Sequence, residues 1–460
     1  MDTITYASSI RVKARYDVLV AGGGPAGICA AVAAARLGAS VALVERYGVL
    51  GGNLTAGHVG PILGSVGEGT MRDELVSLLG VPDNDWIGET GKAHDVEKAK
   101  LALAEFVAAE KIDVYLQCSV FDVLRSGPVG HGPYGAPGDS PRAGAGPEDP
   151  AAGAPVVRGL VIASNEAPFI LLGKVIIDAT GDAIVSTLAG ATVFKGREDG
   201  LMQPVTLEFT IEGVDESRGL ICIGDVDNVQ LFGKRFLDWC REQADAGKIP
   251  PSLAAVRLHP TVHPGERQVN TTQVCGVDIT QVDQIFPADL QLRRQMVLLE
   301  TFLRENVPGY EKARIIASGT TTGVRESRRV LGDYLIDASE LAAGCRFPDV
   351  VVHNALFIVD IHNPAGAGQA EDHIQYCKPY DLPYRCFLPK GLEGLLVTGR
   401  CISGTHRAHA SYRVMSICMA MGEATGMAAA LAATRGCSPR KLPVSDLQSA
   451  MTARGIRLFD

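Results

Sequence analysis

The sequence lacks the patterns that mark metal sites, disulfide frameworks, membrane spans and nucleic-acid surfaces. Its 11 cysteines form no C-x-x-C pair and follow no His/Cys metal spacing, so we expect reduced thiols and no bound metal. The 43 Lys and Arg residues are fewer than the 52 Asp and Glu residues, and the net charge of −9 disfavours nucleic acid and anionic membranes as partners. An unbroken apolar run of about 18 residues, which a membrane span needs, does not occur.

The chain also begins without the apolar segment of a signal peptide, so we expect a cytoplasmic protein. At 460 residues it exceeds the size at which one hydrophobic core stops growing, which predicts two or more domains. Hydrophobic residues make up 46% of the chain and charged residues 21%, as in ordinary globular enzymes.

One stretch near the start carries a specific pattern, DVLVAGGGPAGICAAVAAARLGASVALVERYG (17–48). An apolar strand is followed by Gly22-x-Gly24-x-x-Gly27, a helix of small residues, and a second strand that ends at Glu45. The first glycine permits a tight turn, the second lets the backbone approach a pyrophosphate, and the third allows close helix–strand packing. The helix N-terminus favours an anion, and Glu45 is placed to bind ribose hydroxyls. We predict a dinucleotide site; the alternative is a structural βαβ turn without a ligand.

A second glycine pattern, Gly130-x-Gly132-x-x-Gly135, lies in a segment dominated by proline and glycine. No helix can follow it, so it cannot supply the helix N-terminus that a dinucleotide site needs. We predict residues 126–156 to be a flexible loop inserted between two strands. No further strand–turn–helix glycine motif occurs in the sequence, which argues against a separate NAD(P)H domain.

Three more segments resemble those of the flavoprotein group that includes glutathione reductase and fumarate reductase. They are VERYGVLGGNLTAG (44–57), IIDATGDA (176–183) and GLLVTGRCISGTHRAHASYRVM (394–415). The resemblance implies FAD rather than NAD as the cofactor. Together with the glycine pattern it implies a set of cofactor contacts, namely Gly22, Gly24, Pro25, Ala26, Gly27, Glu45, Arg46, Gly51, Gly52, Asn53, Thr55, Val120, Ala179, Thr180, Gly181, Gly399, Arg400, Arg413 and Val414.

These motifs cover nearly the whole chain, which is identified as a member of the FAD-dependent oxidoreductase family related to the fumarate reductase flavoproteins. The resemblance implies an α/β fold: a Rossmann-like FAD-binding domain, with a βαβ unit and a central parallel sheet, and an inserted α+β substrate domain. We predict the FAD domain over residues 1–199 and 385–460, and the substrate domain over residues 200–384. Arg400 departs from the wider group, in which an Asp at this place binds the ribityl chain.

Periodicity predicts several local elements. The segments DVEKAKLALAEFVAAEKI and PADLQLRRQMVLLETFLREN have the apolar spacing of amphipathic helices, and DVYLQCSVFDVL is typical of a strand. We expect a long C-terminal helix to begin near Tyr412, with His406 and His409 in the loop before it. Its first turn would face the flavin, and Gly422 and Gly426 would let it lie close to its neighbours.

The candidates for proton transfer and substrate binding are histidines and arginines near these motifs. His362 and His406 have an ordinary pKa that suits proton transfer near neutrality. Arg325 and Arg328, in GVRESRR, and Arg385 suit bidentate binding of a carboxylate. The alternatives are structural: a histidine that caps a turn, and arginines held in salt bridges.

The predicted function is an oxidoreductase that transfers a hydride between flavin N5 and a small polar substrate with a carboxylate or carbonyl group. It would need an external electron acceptor or donor, and the sequence is compatible with a homo-oligomer. His58 follows the Gly-Gly loop, but its neighbours do not match the motif of a covalently attached flavin, so we expect non-covalent FAD. One alternative is reduction of an activated C=C bond, as in fumarate reductase, with an arginine as proton donor. Another is an FAD-stabilised binding protein without turnover.

Overall fold

The computed structural model describes residues 8–80, 92–126, 153–224, 227–366, 368 and 375–460. The predicted loop of residues 126–156, with the second glycine pattern, lies outside the described residues except for its two ends. In the first half of the described chain the elements are β1 (Arg11–Ala21), α1 (Pro25–Arg36), β2 (Val41–Glu45), α2 (Met71–Leu78), α3 (Val96–Ala108), β3 (Asp113–Leu116), β4 (Ser119–Ser126), β5 (Val156–Ala163), β6 (Phe169–Asp178), α4 (Ile184–Leu188), β7 (Val193–Lys195) and β8 (Phe209–Glu212).

The second half continues the α/β alternation. Its elements are β9 (Gln230–Leu231), β10 (Lys234–Arg235), α5 (Phe236–Asp245), β11 (Leu258–Pro260), β12 (Arg267–Val269), α6 (Val282–Asn306), β13 (Arg314–Ser318), β14 (Arg328–Val330), α7 (Ala338–Ala343), β15 (Val350–Ala355), β16 (Tyr380–Pro383), β17 (Leu395–Val397), α8 (His406–Tyr412), α9 (Met415–Arg435) and α10 (Val444–Ala453).

The main sheet has the strand order β3-β2-β1-β6-β5-β4, and β17 pairs with the C-terminal part of β6. Its strands β1, β2, β3, β6 and β17 pair in parallel, whereas β4 and β5 form antiparallel pairs. The carboxyl ends of parallel strands meet at one edge, which here brings together Ala21, Glu45, Asp178 and Val397. This architecture confirms the predicted Rossmann-like α/β fold.

Helix α1 packs against both the main sheet and the long helix α9, and two glycines set the distance between the helices. A Cβ atom at Gly422 would lie 2.0 Å from the carbonyl oxygen of Ala26, and one at Gly426 would lie 2.1 Å from that of Ala30. Both distances are far below van der Waals contact, so only glycine fits. The predicted role of Gly422 and Gly426 in close helix packing is confirmed.

The second sheet has the order β11-β12-β8-β13, and α5 and α6 pack beside it. Its core includes residues from Phe209 to Ile315, whereas Val330, Tyr380 and other residues after β14 pack into the core that surrounds α1 and α9. The predicted domain boundaries at residues 200 and 384 stay predictions. The described core shows only that the second sheet has a hydrophobic cluster of its own.

Several local elements differ from the predictions. The segment predicted as one strand, DVYLQCSVFDVL, forms two strands, β3 and β4, because Gln117 between them adopts a positive φ of 54°. The long helix begins at Met415 rather than near Tyr412, and His406 and His409 lie in the separate helix α8 rather than in a loop. The helices predicted in residues 95–112 and 287–306 are present as α3 and α6.

Helix α9 is long and apolar enough to cross a membrane, by length and composition alone. In the described fold, 89% of its most apolar window is buried inside the protein. Its apolar surface is therefore covered by α1, the main sheet and β15, as in a core helix.

Substituting Gly426 with Ala tests the helix packing. Glycine to alanine in a helix normally stabilises by about 1 kcal/mol, but here the new methyl group would overlap a backbone oxygen of α1. We expect a net loss of about 1–3 kcal/mol in unfolding free energy, measured by urea denaturation. Gly153→Ala is the matched control, since Gly153 is exposed and a Cβ there meets nothing within 4 Å. Equal stability of the two variants would contradict the packing.

Candidate active site

A deep cleft opens at the edge where the parallel strands end. It has about 1220 Å³ of empty space, part of which is open to solvent. Most of the predicted cofactor contacts line it, whereas Gly27, Gly51, Thr55 and Val414 do not. The predicted residues in the wall are Gly22, Gly24, Pro25, Ala26, Glu45, Arg46, Gly52, Asn53, Val120, Ala179, Thr180, Gly181, Gly399, Arg400 and Arg413.

The glycine turn has the geometry that a dinucleotide requires. Gly22 has a positive φ of 104°, and a Cβ at Gly27 would lie 1.8 Å from the Gly22 carbonyl oxygen, so both positions need glycine. Gly24 is the N-cap of α1 and offers no side-chain cap, and a Cβ there would meet nothing within 4 Å. The unpaired N–H groups of the first helical turn therefore have open space in front of them, which suits a diphosphate.

Glu45 is held rigidly at the end of β2. Its carboxylate accepts hydrogen bonds from the backbone N–H of Gly23 at 2.5 Å and of Tyr47 at 2.8 Å. Burial raises the pKa of Glu45, and these backbone hydrogen bonds oppose that rise. The carboxyl group lies in the wall beside Val120 and Tyr47, as expected for a ribose contact.

Arg400, which departs from the flavoprotein pattern, is neutralised by a carboxylate from another motif. Its guanidinium pairs with Asp182, which also accepts a hydrogen bond from Ser327 at 2.7 Å and lies 3.4 Å from Arg46. Burial tends to raise the pKa of Asp182, but Arg400 and Arg46 together lower it below its ordinary value. Asp182 therefore stays ionised and fixes both arginines in the wall of the cleft.

The N-terminal turn of α9 also faces the cleft, through Met415 and Cys418. Arg413, just before it, is the C-cap of α8 rather than the first residue of the long helix. Its guanidinium donates to the carboxylate of Asp360 at 2.9 Å and to the Asp360 carbonyl at 3.0 Å. The Nε atoms of Arg413 and Arg400 are buried and have no hydrogen-bond partner among the described residues, so both remain donors for a bound group.

Two predicted catalytic residues lie together next to Arg413. His362 Nε2 is 3.5 Å from the Asp360 carboxylate, and burial, together with the charge of Arg325, lowers the pKa of His362 to about 3. Arg325 is buried and donates to the Pro204 carbonyl at 3.1 Å, and burial lowers its pKa to about 10. A neutral His362 does not suit proton donation at neutral pH, and its role in proton transfer stays a prediction.

His406 and Arg328 are held in other contacts, and neither is in the wall of the cleft. His406 Nδ1 lies 2.8 Å from the buried carboxylate of Glu326, which also pairs with Arg329. Burial favours a higher pKa of Glu326, but the His406 hydrogen bond and the Arg329 charge lower it. Arg328 donates to the Asp182 carbonyl at 3.3 Å. Arg328 therefore supports the Asp182 segment, whereas His406 contacts Glu326.

Arg385 and His58 also lie away from the wall of the cleft. The Arg385 side chain is 44% exposed, forms a salt bridge with Asp349 at 2.8 Å and lies over the ring of Tyr334. His58 is buried, and its Nε2 lies 2.8 Å from the Thr210 hydroxyl. Burial lowers the pKa of His58 to about 4.

Sequence reasoning missed several residues of the wall. Tyr47, Cys118, Thr322, Val324 and Cys418 line the cleft. Thr322 comes directly before the motif GVRESRR and Val324 lies within it, which is the signal available for them. Cys118 and Cys418 carry no signal in the sequence, since they are two of eleven free thiols, most of them buried in the core.

The sequence was also compared with known proteins. The pattern of the family described as FAD dependent oxidoreductase matches residues 17–451. Over 124 residues the chain is 33% identical to soluble pyridine nucleotide transhydrogenases of Mycobacterium bovis (strain BCG / Pasteur 1173P2) and Mycobacterium tuberculosis (strain ATCC 25177 / H37Ra). That match covers 26% of this chain, which thus spans only about a quarter, 24%, of the length of these curated relatives.

Among solved structures, the chain matches a geranylgeranyl bacteriochlorophyll reductase-like protein of Thermoplasma acidophilum at 14% identity, with 96% of this chain and 84% of that chain covered and a TM-score of 0.45. THI4 of Thermovibrio ammonificans is 24% identical over 40% of this chain and 66% of that chain, with a TM-score of 0.28. The family match extends over almost the entire fold and over every segment of the cleft wall. The chain belongs to the FAD dependent oxidoreductase family, and its cofactor is FAD.

Proposed function

We propose that this FAD-dependent oxidoreductase transfers a hydride between flavin N5 and a small polar substrate that carries a carboxylate or carbonyl group. The observation that supports an anionic substrate is the cation pair beside the cleft. Arg413 lies in the wall with its side chain 14% exposed, and Arg325 is buried behind it. Among the described residues, the only carboxylate that an ion pair places on either of them is Asp360. Buried positive charge of this kind favours binding of a small anion.

The chemistry that FAD supplies when bound is hydride acceptance and donation at N5. The residues of the chain bind the FAD and the substrate and orient them. The N-terminus of α1 would hold the diphosphate and Glu45 would bind ribose hydroxyls, while the first turn of α9 lies in the wall of the same cleft. Asp360 holds the Arg413 guanidinium in place, so the arginine is preorganised when a substrate arrives. We propose that the FAD is held without a covalent bond, since His58 is engaged with Thr210 outside the wall.

A second candidate reaction is the reduction of an activated C=C bond, as in the fumarate reductase flavoproteins. The observation that favours it is the lowered pKa of Arg325, about 10, which burial causes. A guanidinium with a lowered pKa is a better proton donor than an exposed one. The resemblance to the fumarate reductase flavoproteins is part of this second proposal only.

The choice between these reactions rests on a photometric experiment. Under anaerobic conditions, a panel of 2-hydroxy acids, amino acids and pyridine nucleotides is added to the oxidised holoenzyme, and the visible flavin band is followed. Bleaching by a carboxylate compound supports dehydrogenation. Reoxidation of the dithionite-reduced enzyme by fumarate or another activated alkene supports C=C reduction. A flavin that responds to no compound of either type would contradict both proposals and favour the binding protein without turnover.

Gly24→Ala tests the diphosphate site. The new methyl group would point into open space in the apoprotein but would occupy the place of the diphosphate, so we expect an unchanged fold with weaker FAD binding. The loss of one or two charge-assisted hydrogen bonds predicts about a 10- to 100-fold increase in Kd, measured by flavin fluorescence quenching. Gly27→Ala is the contrasting variant, since its Cβ would overlap Gly22 and lower the Tm of the apoprotein. If Gly24→Ala binds FAD with an unchanged Kd, the diphosphate does not bind at this turn.

The variants Arg413→Gln and Arg385→Gln compare the effect on turnover of a residue in the cleft wall with that of a residue at the surface. Loss of a largely shielded cation next to the substrate should lower kcat/KM for flavin reduction by about 30-fold or more, a cost of about 2 kcal/mol or above. Arg385→Gln removes only an exposed salt bridge with Asp349 and should stay within about threefold of wild type. Both effects are measured by stopped flow, as rates of flavin reduction by the substrate that the photometric panel identifies. A larger loss of kcat/KM in Arg385→Gln than in Arg413→Gln would contradict this expectation and would place Arg385 in the active site.

A further inference from the structure

Two buried polar side chains beside the cleft each have a nitrogen atom that makes no hydrogen bond. Gln203 is 1% exposed and His362 is 5% exposed. Gln203 Nε2 and His362 Nδ1 are buried and have no hydrogen-bond partner among the described residues. Since buried polar atoms are normally paired in a folded protein, these two nitrogens are available to a ligand.

The orientation of the Gln203 amide is fixed by its oxygen. The backbone N–H of His362 donates to Gln203 Oε1 at 3.1 Å, so the amide nitrogen is the end that stays unpaired, and it is a donor. The backbone N–H of Gln203 in turn donates to the buried carboxylate of Glu326 at 3.1 Å. The amide is therefore anchored on both sides, and its N–H groups lie next to His362.

The ring of His362 offers an acceptor. Its Nε2 atom lies 3.5 Å from the Asp360 carboxylate, which favours the proton of the neutral ring on Nε2. Burial and the nearby charge of Arg325 lower the pKa of His362 to about 3, although Asp360 opposes the shift, so the ring is neutral at physiological pH. The lone pair of Nδ1 is thus unused. A neutral ring of this kind accepts a proton at Nδ1 rather than donating one.

Both side chains are one contact away from residues of the cleft wall. Asp360, next to the His362 ring, also holds Arg413, which lines the cleft. On the other side, Arg325 donates to the carbonyl of Pro204, the residue after Gln203, at 3.1 Å, and its neighbour Val324 lines the cleft. The two free nitrogens therefore lie at the border of the cleft that binds FAD.

The two nitrogens are complementary to a hydroxyl group. A hydroxyl oxygen accepts a hydrogen bond and its O–H group donates one, which matches the N–H of Gln203 and the lone pair of His362. An ammonium group only donates, and the carbon of an alkene does neither, so each would leave at least one of the two nitrogens unpaired. The pair therefore distinguishes an alcohol from an amine and from an activated alkene.

We propose that Gln203 and His362 bind the hydroxyl group of an alcohol substrate, and that His362 Nδ1 takes the hydroxyl proton when the alcohol is oxidised. The inference rests on the proposed function, which it deepens by naming the class of the electron donor and the base. Gln203 Nε2 donates to the substrate oxygen in the alcohol and in the carbonyl product, and it thus orients the reacting carbon.

The oxidation balances with FAD as the electron acceptor. The C–H bond of the alcohol carbon breaks, and its electron pair leaves as a hydride for flavin N5. The O–H bond also breaks, its electron pair forms the second bond of the carbonyl group, and the proton binds His362 Nδ1. A weak base suffices, because the oxygen has the acidity of a protonated carbonyl once the hydride departs. The Asp360 carboxylate, 3.5 Å away, stabilises the charged ring until water takes the proton.

NMR of the FAD-loaded enzyme with nitrogen-15-labelled histidine tests the state of the ring. The signals of His362 are identified by their loss in His362→Gln. At neutral pH the ring should be uncharged, with a proton on Nε2 and a lone pair on Nδ1. A proton on Nδ1, in a neutral or a charged ring, would overturn the assignment, because Nδ1 could then accept nothing from a hydroxyl group.

Glycolate, free glycine and acetate serve as probes, because they share a carboxylate and differ only in a hydroxyl, an ammonium or a hydrogen. The holoenzyme is first reduced with dithionite, so its flavin accepts no hydride and no turnover occurs. Glycolate should shift the His362 Nδ1 signal and bind about 10- to 100-fold more tightly than acetate, since acetate pairs neither nitrogen through a hydroxyl. Equal binding of glycolate and acetate, tightest binding of glycine, or no shift with glycolate would overturn the site.

Gln203→Glu tests the amide. It keeps an oxygen for the His362 N–H and removes the N–H donor, so the preference for glycolate over acetate should disappear, and this ratio cancels the effect of the added charge on both anions. Gln295→Glu is the matched control, since the buried Gln295 exchanges hydrogen bonds of 2.9 Å with the Gln273 backbone. This control should lower the Tm and keep the preference.

If Gln203→Glu does not load FAD, Gln203→Met, which has a similar volume and no donor, replaces it. A preference for glycolate that survives the loss of the amide donor would remove Gln203 from the site. None of these measurements needs turnover. Failure of every alcohol in the photometric panel would contradict the proposed reaction, whereas failure of the glycolate series would contradict the hydroxyl site.

Discussion

The close approach of backbone to backbone around helix α1 is the constraint on which the rest of the structure depends. Gly27 lets the helix lie on the turn that starts it, and Gly422 and Gly426 let α9 lie on its other side. These contacts fix the N-terminus of α1 at the carboxyl edge of the parallel sheet. They also fix the first turn of α9 at the same edge, so two helix N-termini face one cleft. A side chain at any of these glycines would move one of the two walls.

The charges of the cleft follow from this frame. Asp182, at the end of the turn after β6, holds Arg400 and Arg46, and Asp360 holds Arg413. Each arginine of the wall is therefore compensated and oriented before any ligand binds. The cleft therefore suits a dinucleotide.

The α/β fold and the FAD cofactor could be predicted from the sequence, because the glycines, the small-residue helix and the terminal Glu45 are local and follow a fixed order. The burial of the polar residues on β8 and just before it could not be predicted, for a physical reason. Thr206, Glu208 and Thr210 alternate with apolar residues, and this pattern normally indicates a strand with one face in water. Here that face is covered by the loop that carries His58 and by the segment that carries Arg325, which lie far away in sequence. The sequence makes Arg385 a candidate for the active site because it lies shortly before the last strand, but its salt bridge with Asp349 holds it at the surface.

The central claim is that the glycine turn and its helix N-terminus hold FAD without a covalent bond. The most direct measurement is the flavin content of the purified, FAD-reconstituted protein before and after denaturation. The account predicts a yellow protein that releases equimolar FAD into the supernatant when it is heated or acidified. A protein that stays colourless after reconstitution, or flavin that remains attached to the denatured chain, would contradict it.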